Sequence, residues 1–157
     1  MNNIPVEEDI VKIIGDAVIT ASQVSPPTLF GHGPESYANL QGQDEAIPQN
    51  ETAWLFPYNI DDAVTASGGI TSKYNVMLGF GKKGDLDSSK EDLEALQRAM
   101  FILSKRFLVA LVDDDRIKEL TSIRREPAYH VQALNLTGWL ASLTIELDFE
   151  KFDYCLT

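Results

Sequence analysis

Four groups of residues in this 157-residue chain have types or spacings that chemistry could use. Gly79-x-Gly81-x-x-Gly84 matches the dinucleotide-binding pattern, in which backbone amides at a helix N-terminus cradle a pyrophosphate. Its setting argues otherwise. The expected helix cap comes four residues later, at Ser88, and Asp85 and Asp87 would repel a phosphate. A strand-to-helix turn is the expected reading, and no G-K-[ST] follows Lys82-Lys83 to make a P-loop. Asp113-Asp114-Asp115 offers carboxylates to a cation. Its spacing is not that of an EF-hand, so a solvated helix end is expected. His32 and His130, the only histidines, lack a local catalytic or metal-ligating signature. Asp44-Glu45 and Asp61-Asp62 are acid pairs of the kind a hydrolase could use, but both are expected in loops as surface charge. No catalytic residue, cofactor or metal ligand is assigned from these patterns.

Two further features have bland readings. Trp54, Phe56 and Tyr58 alternate as a core strand would, in preference to an exposed recognition strip. The single cysteine, Cys155, excludes an intrachain disulfide and a cysteine-rich zinc site.

The elements that would position these residues are uneven in clarity. Ile10, Ile13, Ile14, Ala17 and Val18 recur at helical spacing, which predicts a helix from Val6 to Ala21 with acids in its first turn. Residues 25–51 contain several prolines and glycines and no periodicity, so a long irregular loop is expected there. Thr52 to Tyr58 reads as a strand ending near Pro57, and Asp61 to Gly69 as a loop. A strand starting at Ile70 or Ser72 and running to Phe80 is read from its alternation. Ser88 and Glu91 fit a capping box, opening a long helix to Val112. Leu93, Leu96, Met100, Leu103, Phe107 and Leu111 form its apolar stripe. Phe101, Ile102, Leu108 and Val109 widen that stripe, so the later half is expected to be buried on most sides. A short helix over Asp115 to Leu120 and an antiparallel pair, Tyr129–Leu136 with Trp139–Phe149, complete the reading. The fold class expected is α+β: one domain over 1–157, with a mixed or antiparallel sheet of about four strands packed by the long helix and the N-terminal helix.

The net charge is −11. Residues 1–62 hold ten acids and one base, whereas residues 63–157 hold fourteen acids and twelve bases. No basic patch suits tight binding to a phosphate backbone. No apolar run approaches the roughly 20 residues that span a bilayer. The N-terminal residues lack the basic start of a signal peptide, so a cytosolic origin is the expectation.

The order of elements, the stretch Thr65-Ala66-Ser67-Gly68-Gly69-Ile70-Thr71-Ser72-Lys73-Tyr74-Asn75-Val76, the capped helix Ser88–Val112 and the ending Phe149-x-x-Phe152-Asp153-Tyr154-Cys155 carry a family likeness. Over about residues 50–157 the chain resembles the tail-terminator or tail-completion (neck) proteins of long-tailed bacteriophages, of the type found in phages of Bacteroides-like bacteria. The resemblance implies a structural virion protein without catalysis, assembled in the host cytoplasm. It implies a homo-oligomeric ring, usually a hexamer, between the tail tube and the head-tail connector, with DNA passing through without specific binding. An acidic lumen would suit that passage. Subunit or partner contacts are then expected in the 25–51 loop, at Pro34, Tyr37 and Leu40, and at Asp61 and Asp62. The competing readings are a small cytosolic enzyme with a pocket of scattered acids and a histidine, and a binding module using the aromatic strip.

Overall fold

A computed structural model describes residues 7–22, 29–33, 52–83, 89–131 and 136–148. The elements run α1 (Glu7–Ser22), β1 (Leu29–His32), β2 (Thr52–Leu55), β3 (Asn59–Val64), β4 (Ile70–Lys83), α2 (Lys90–Val112), β5 (Ile117–Val131) and β6 (Leu136–Leu147). Both helices pack on one face of a mixed, open sheet of six strands ordered β1-β2-β4-β6-β5, with β3 also pairing β4. Among the described residues, only the β1–β2 pair is parallel. The α+β class agrees with the sequence pattern, but the sheet has two more strands than the expected four.

Alternation along the central strands decides which face meets the helices. Tyr74, Val76, Leu78 and Phe80 of β4 share one core with Ala141, Leu143, Ile145 and Leu147 of β6. The helices fill that core with Ile10, Ile13, Ile14, Ala17 and Val18 from α1 and Met100, Leu103, Phe107 and Leu111 from α2. Phe80 and Phe107 meet at a ring-centroid distance of 5.2 Å, tying strand to helix. The N-cap of α2 is Ser89, whose Oγ accepts from the Asp92 amide at 3.2 Å. The cap thus closes one residue later than Ser88, because the Ser89–Asp92 spacing supplies the same geometry.

Several expectations are corrected. Gly79 and Gly81 lie inside β4, hydrogen-bonded between β2 and β6, so they belong neither to a phosphate loop nor to a turn. Gly84 is outside the described residues. The close approach of β4 and β6 explains a different glycine: a Cβ on Gly138 would lie 1.9 Å from the Phe80 carbonyl oxygen. Residues Leu29–His32, inside the expected irregular loop, form β1 beside β2.

Asn59–Val64 is a strand, in place of the loop expected from Asp61. Its pairing with β4 places Asp61 opposite Lys73 and Asp62 opposite Ser72, and these cross-strand partners offset the poor strand propensity of Asp. The remaining turn is Thr65–Gly69, closed by the Thr65 amide donating to the Gly69 carbonyl at 2.7 Å, with Gly68 at φ 85°. β2 and β3 run along the same side of β4, interrupted at Pro57. Phe56, Pro57 and Tyr58 span the interval that Val76 and Met77 occupy on β4, so one extra residue bulges where proline has no amide to donate.

The expected short helix over Asp115 to Leu120 is also absent: Ile117 onward pairs with β6. Ile117 and Leu120, whose spacing suggests a helix, both reach the core side through register shifts in β5. Ser122, at φ 53°, marks one such irregularity.

Candidate functional site

Asp113-Asp114-Asp115 is a structural corner. The Asp113 amide donates to the Val109 carbonyl at 3.1 Å, ending α2. Asp114 grips Arg116 with both carboxylate oxygens, at 2.9 Å from Nε and 2.6 Å from Nη2, and Arg116 reaches Asp16 of α1 at 3.3 Å. Hydrogen bonding to Arg116 holds the Asp114 carboxyl below its ordinary range, although partial burial opposes it. The pair pins α1 to the junction between α2 and β5. Asp115 is exposed.

The histidines are not brought together as a site. His32 ends β1 and is exposed; His130 is in β5, with its side chain outside the described residues. Among the described residues, no group of three or more His, Cys, Asp and Glu side chains is placed to hold a metal ion. No described helix is long and apolar enough to cross a membrane. The aromatic strip is largely core, as expected. Trp54 and Phe56 are buried on the sheet face away from the helices, beside Leu140, and Trp54 Nε1 donates to the Gly33 carbonyl at 3.0 Å. Tyr58 packs against the main core, 6.2 Å from the Tyr74 ring.

Among the described residues, two surfaces gather several exposed apolar side chains. The first is the β3–β4 hairpin, where every residue of β3 is exposed. Alternation puts Ile60, Asp62 and Val64 on one face with Ile70 and Ser72; Val64 is 76 % and Ile70 61 % exposed. Asp62 accepts a hydrogen bond from the Ser72 hydroxyl. The opposite face is polar: Asn75 Nδ2 donates to Asn59 Oδ1 and Asp61 Oδ2, each at 2.7 Å, and Thr144 donates to Asn75 Oδ1 at 2.8 Å. Of the sequence-expected contact residues, Asp61 and Asp62 therefore sit on opposite faces of one hairpin. Pro34, Tyr37 and Leu40 lie outside the described residues.

The second surface is the outer side of α2. Its expected burial on most sides does not hold: Phe101 and Ile102 are exposed, as are Val109 at 54 % and Val112 at 68 %. The reason is geometric, since only one face of α2 meets the sheet and no described element covers the other. Lys105, Leu108, Val109 and Val112 of α2 form a shallow groove with Ile123 and Arg125 of β5. Arg125 is held there by the Phe101 ring, 4.6 Å below its guanidinium, and by the Ser104 hydroxyl at 3.2 Å. Trp139 packs edge-on against Phe101 at 5.1 Å and donates to the Gln97 carbonyl. The groove escapes sequence reasoning because Phe101, Ile102 and Val109 look like an enlarged core stripe. Their placement off the Met100–Phe107–Leu111 line is the signal that separates them.

No protein-family model matches the chain, and no curated protein matches it either.

Proposed function

We propose that this chain is a structural subunit of a ring at the neck or tail end of a long-tailed phage, a tail-terminator or tail-completion protein. The observation that carries the reading is the β3–β4 hairpin, which exposes an apolar face of Ile60, Val64 and Ile70. A hairpin of this kind gains by burying that face against another chain. The two helices on one side of an open sheet, with the hairpin at its margin, support the same reading as a frame for side-by-side assembly. The net charge of −11 suits a wall along which DNA moves without adhering.

Analytical ultracentrifugation and negative-stain microscopy test this. The expected result is a closed ring of several copies of the 17.4 kDa chain, alone or on purified tail tubes or connectors. A monomer at every concentration, unchanged by those partners, would overturn the proposal.

A further inference from the structure

We propose that the ring is built by a head-to-tail contact in which the β3–β4 hairpin of one copy docks into the α2–β5 groove of the next. This inference rests on the assembly reading above and specifies its interface.

The two surfaces are complementary in kind. The hairpin face presents Ile60, Val64 and Ile70 around one carboxylate, Asp62. The groove presents Leu108, Val109, Val112 and Ile123 between two cations, Lys105 and Arg125. Lys105 has no ion-pair partner among the described residues. Arg125 is aimed by Phe101 and Ser104 rather than by an acid. An apolar contact rimmed by opposite charges gains both burial and register.

Neither surface suits itself. Two hairpins face to face would bring Asp62 against Asp62, and two grooves would bring together four cations. A two-fold dimer through either patch is therefore disfavoured, whereas hairpin into groove satisfies both.

Topology supplies the second argument. Along the path β3-β4-β6-β5, hairpin and groove lie at opposite margins of the sheet. One neighbour filling the groove leaves the hairpin free for another. Such a contact propagates, and it closes into a ring when its rotation allows. β5 is a poor edge for direct strand addition. Three register shifts, one at the positive φ of Ser122, interrupt its ladder, and Pro127 has no amide to donate. The groove beside it, formed by side chains, is the better acceptor.

The test uses Val64→Asp on the hairpin and Val109→Asp in the groove, in the full chain, with circular dichroism to verify folding. Both positions are exposed, so the fold is expected to persist. Each variant alone is expected to lose self-association by at least about tenfold, the factor of a 1.4 kcal/mol loss. An equimolar mixture is expected to stop at a heterodimer, because one intact hairpin and one intact groove remain. Charge exchange gives a second readout: Asp62→Lys and Lys105→Glu each weaken association, and the double variant recovers it. If wild type forms rings and both aspartate variants still form them, this contact is wrong while the ring reading stands. Loss with Val64→Asp but not Val109→Asp also overturns it, because the hairpin then docks somewhere other than the groove. A wild type that never associates overturns both.

Discussion

Gly138→Ala is the sharpest test of how β4 and β6 fit together. The new methyl carbon would lie 1.9 Å from the Phe80 carbonyl oxygen, 2.7 Å from Gly81 Cα and 2.9 Å from the Phe80 carbonyl carbon. All three are backbone atoms, so no side chain can swing aside. Reaching an ordinary 3.4 Å contact with the oxygen requires about 1.5 Å of strand separation. That displacement falls within the β4–β6 ladder, which runs from Lys73–Glu146 to Lys83–Leu136. Overpacking of this kind costs about 1–3 kcal/mol, and each ladder hydrogen bond lost adds about 0.5–1.5 kcal/mol. A total of roughly 3–4 kcal/mol follows, equivalent to a fall in Tm of roughly 6–15 °C for a chain of this size. Gly68→Ala is the control. Gly68 has φ 85°, but a methyl group there would meet nothing within 4 Å, so only conformational strain of about 1 kcal/mol is expected. Urea and thermal unfolding by circular dichroism measure both. A loss below about 1 kcal/mol for Gly138→Ala, the floor for overpacking, or equal losses for the two variants, would refute the backbone-contact reasoning.

The charged corner and the buried tyrosine each carry a pH-linked prediction. Asp114→Asn removes the carboxylate that grips Arg116 and is expected to cost roughly 1–2 kcal/mol near pH 7. Because the folded-state pKa of Asp114 is lowered, its contribution is present above the unfolded value of about 3.9 and fades as pH falls through the folded one. Urea midpoints of the variant and wild type should converge as pH falls below about 4; a gap that stays constant argues against the ion pair. Burial raises the Tyr74 phenol above its ordinary value, with Asp62 and Asp9 adding negative charge. Its contribution to stability is therefore present below about pH 10 and lost as pH rises through the folded pKa. Ultraviolet titration should show a late-ionising component that diminishes in Tyr74→Phe. An unchanged titration curve in the variant would reject the assignment.

Much of the scaffold is legible in the sequence because the relevant signals are local. The stripe from Ile10 to Val18 and the line Met100–Leu103–Phe107–Leu111 mark both helices, and the alternation from Tyr74 to Phe80 marks β4. The hairpin is hidden because Asp61-Asp62 has turn-like composition, and only its cross-strand partners Lys73 and Ser72 make it a strand. The start of β5 is hidden because bulges break its alternation, leaving Ile117 and Leu120 at a helix-like spacing. The groove depends on a tertiary fact, which side of α2 meets the sheet. A wide apolar stripe does not encode that choice. The glycine pattern at Gly79 and Gly81 misleads for the converse reason: its spacing is local, but its role is set by strands on either side.

The bulge at Pro57 gives the hairpin a degree of mechanical independence. On one side of it, β2 is stitched into the core by Ala53 and Leu55; on the other, β3 pairs, among the described residues, only with β4. Opening β3 therefore breaks one six-pair ladder and the side-chain bonds to Ser72 and Asn75, and leaves Leu78, Phe80 and the helices in place. The fold can present a pliable arm while its body stays rigid, so strain from an approaching neighbour is absorbed in the arm before it reaches the core.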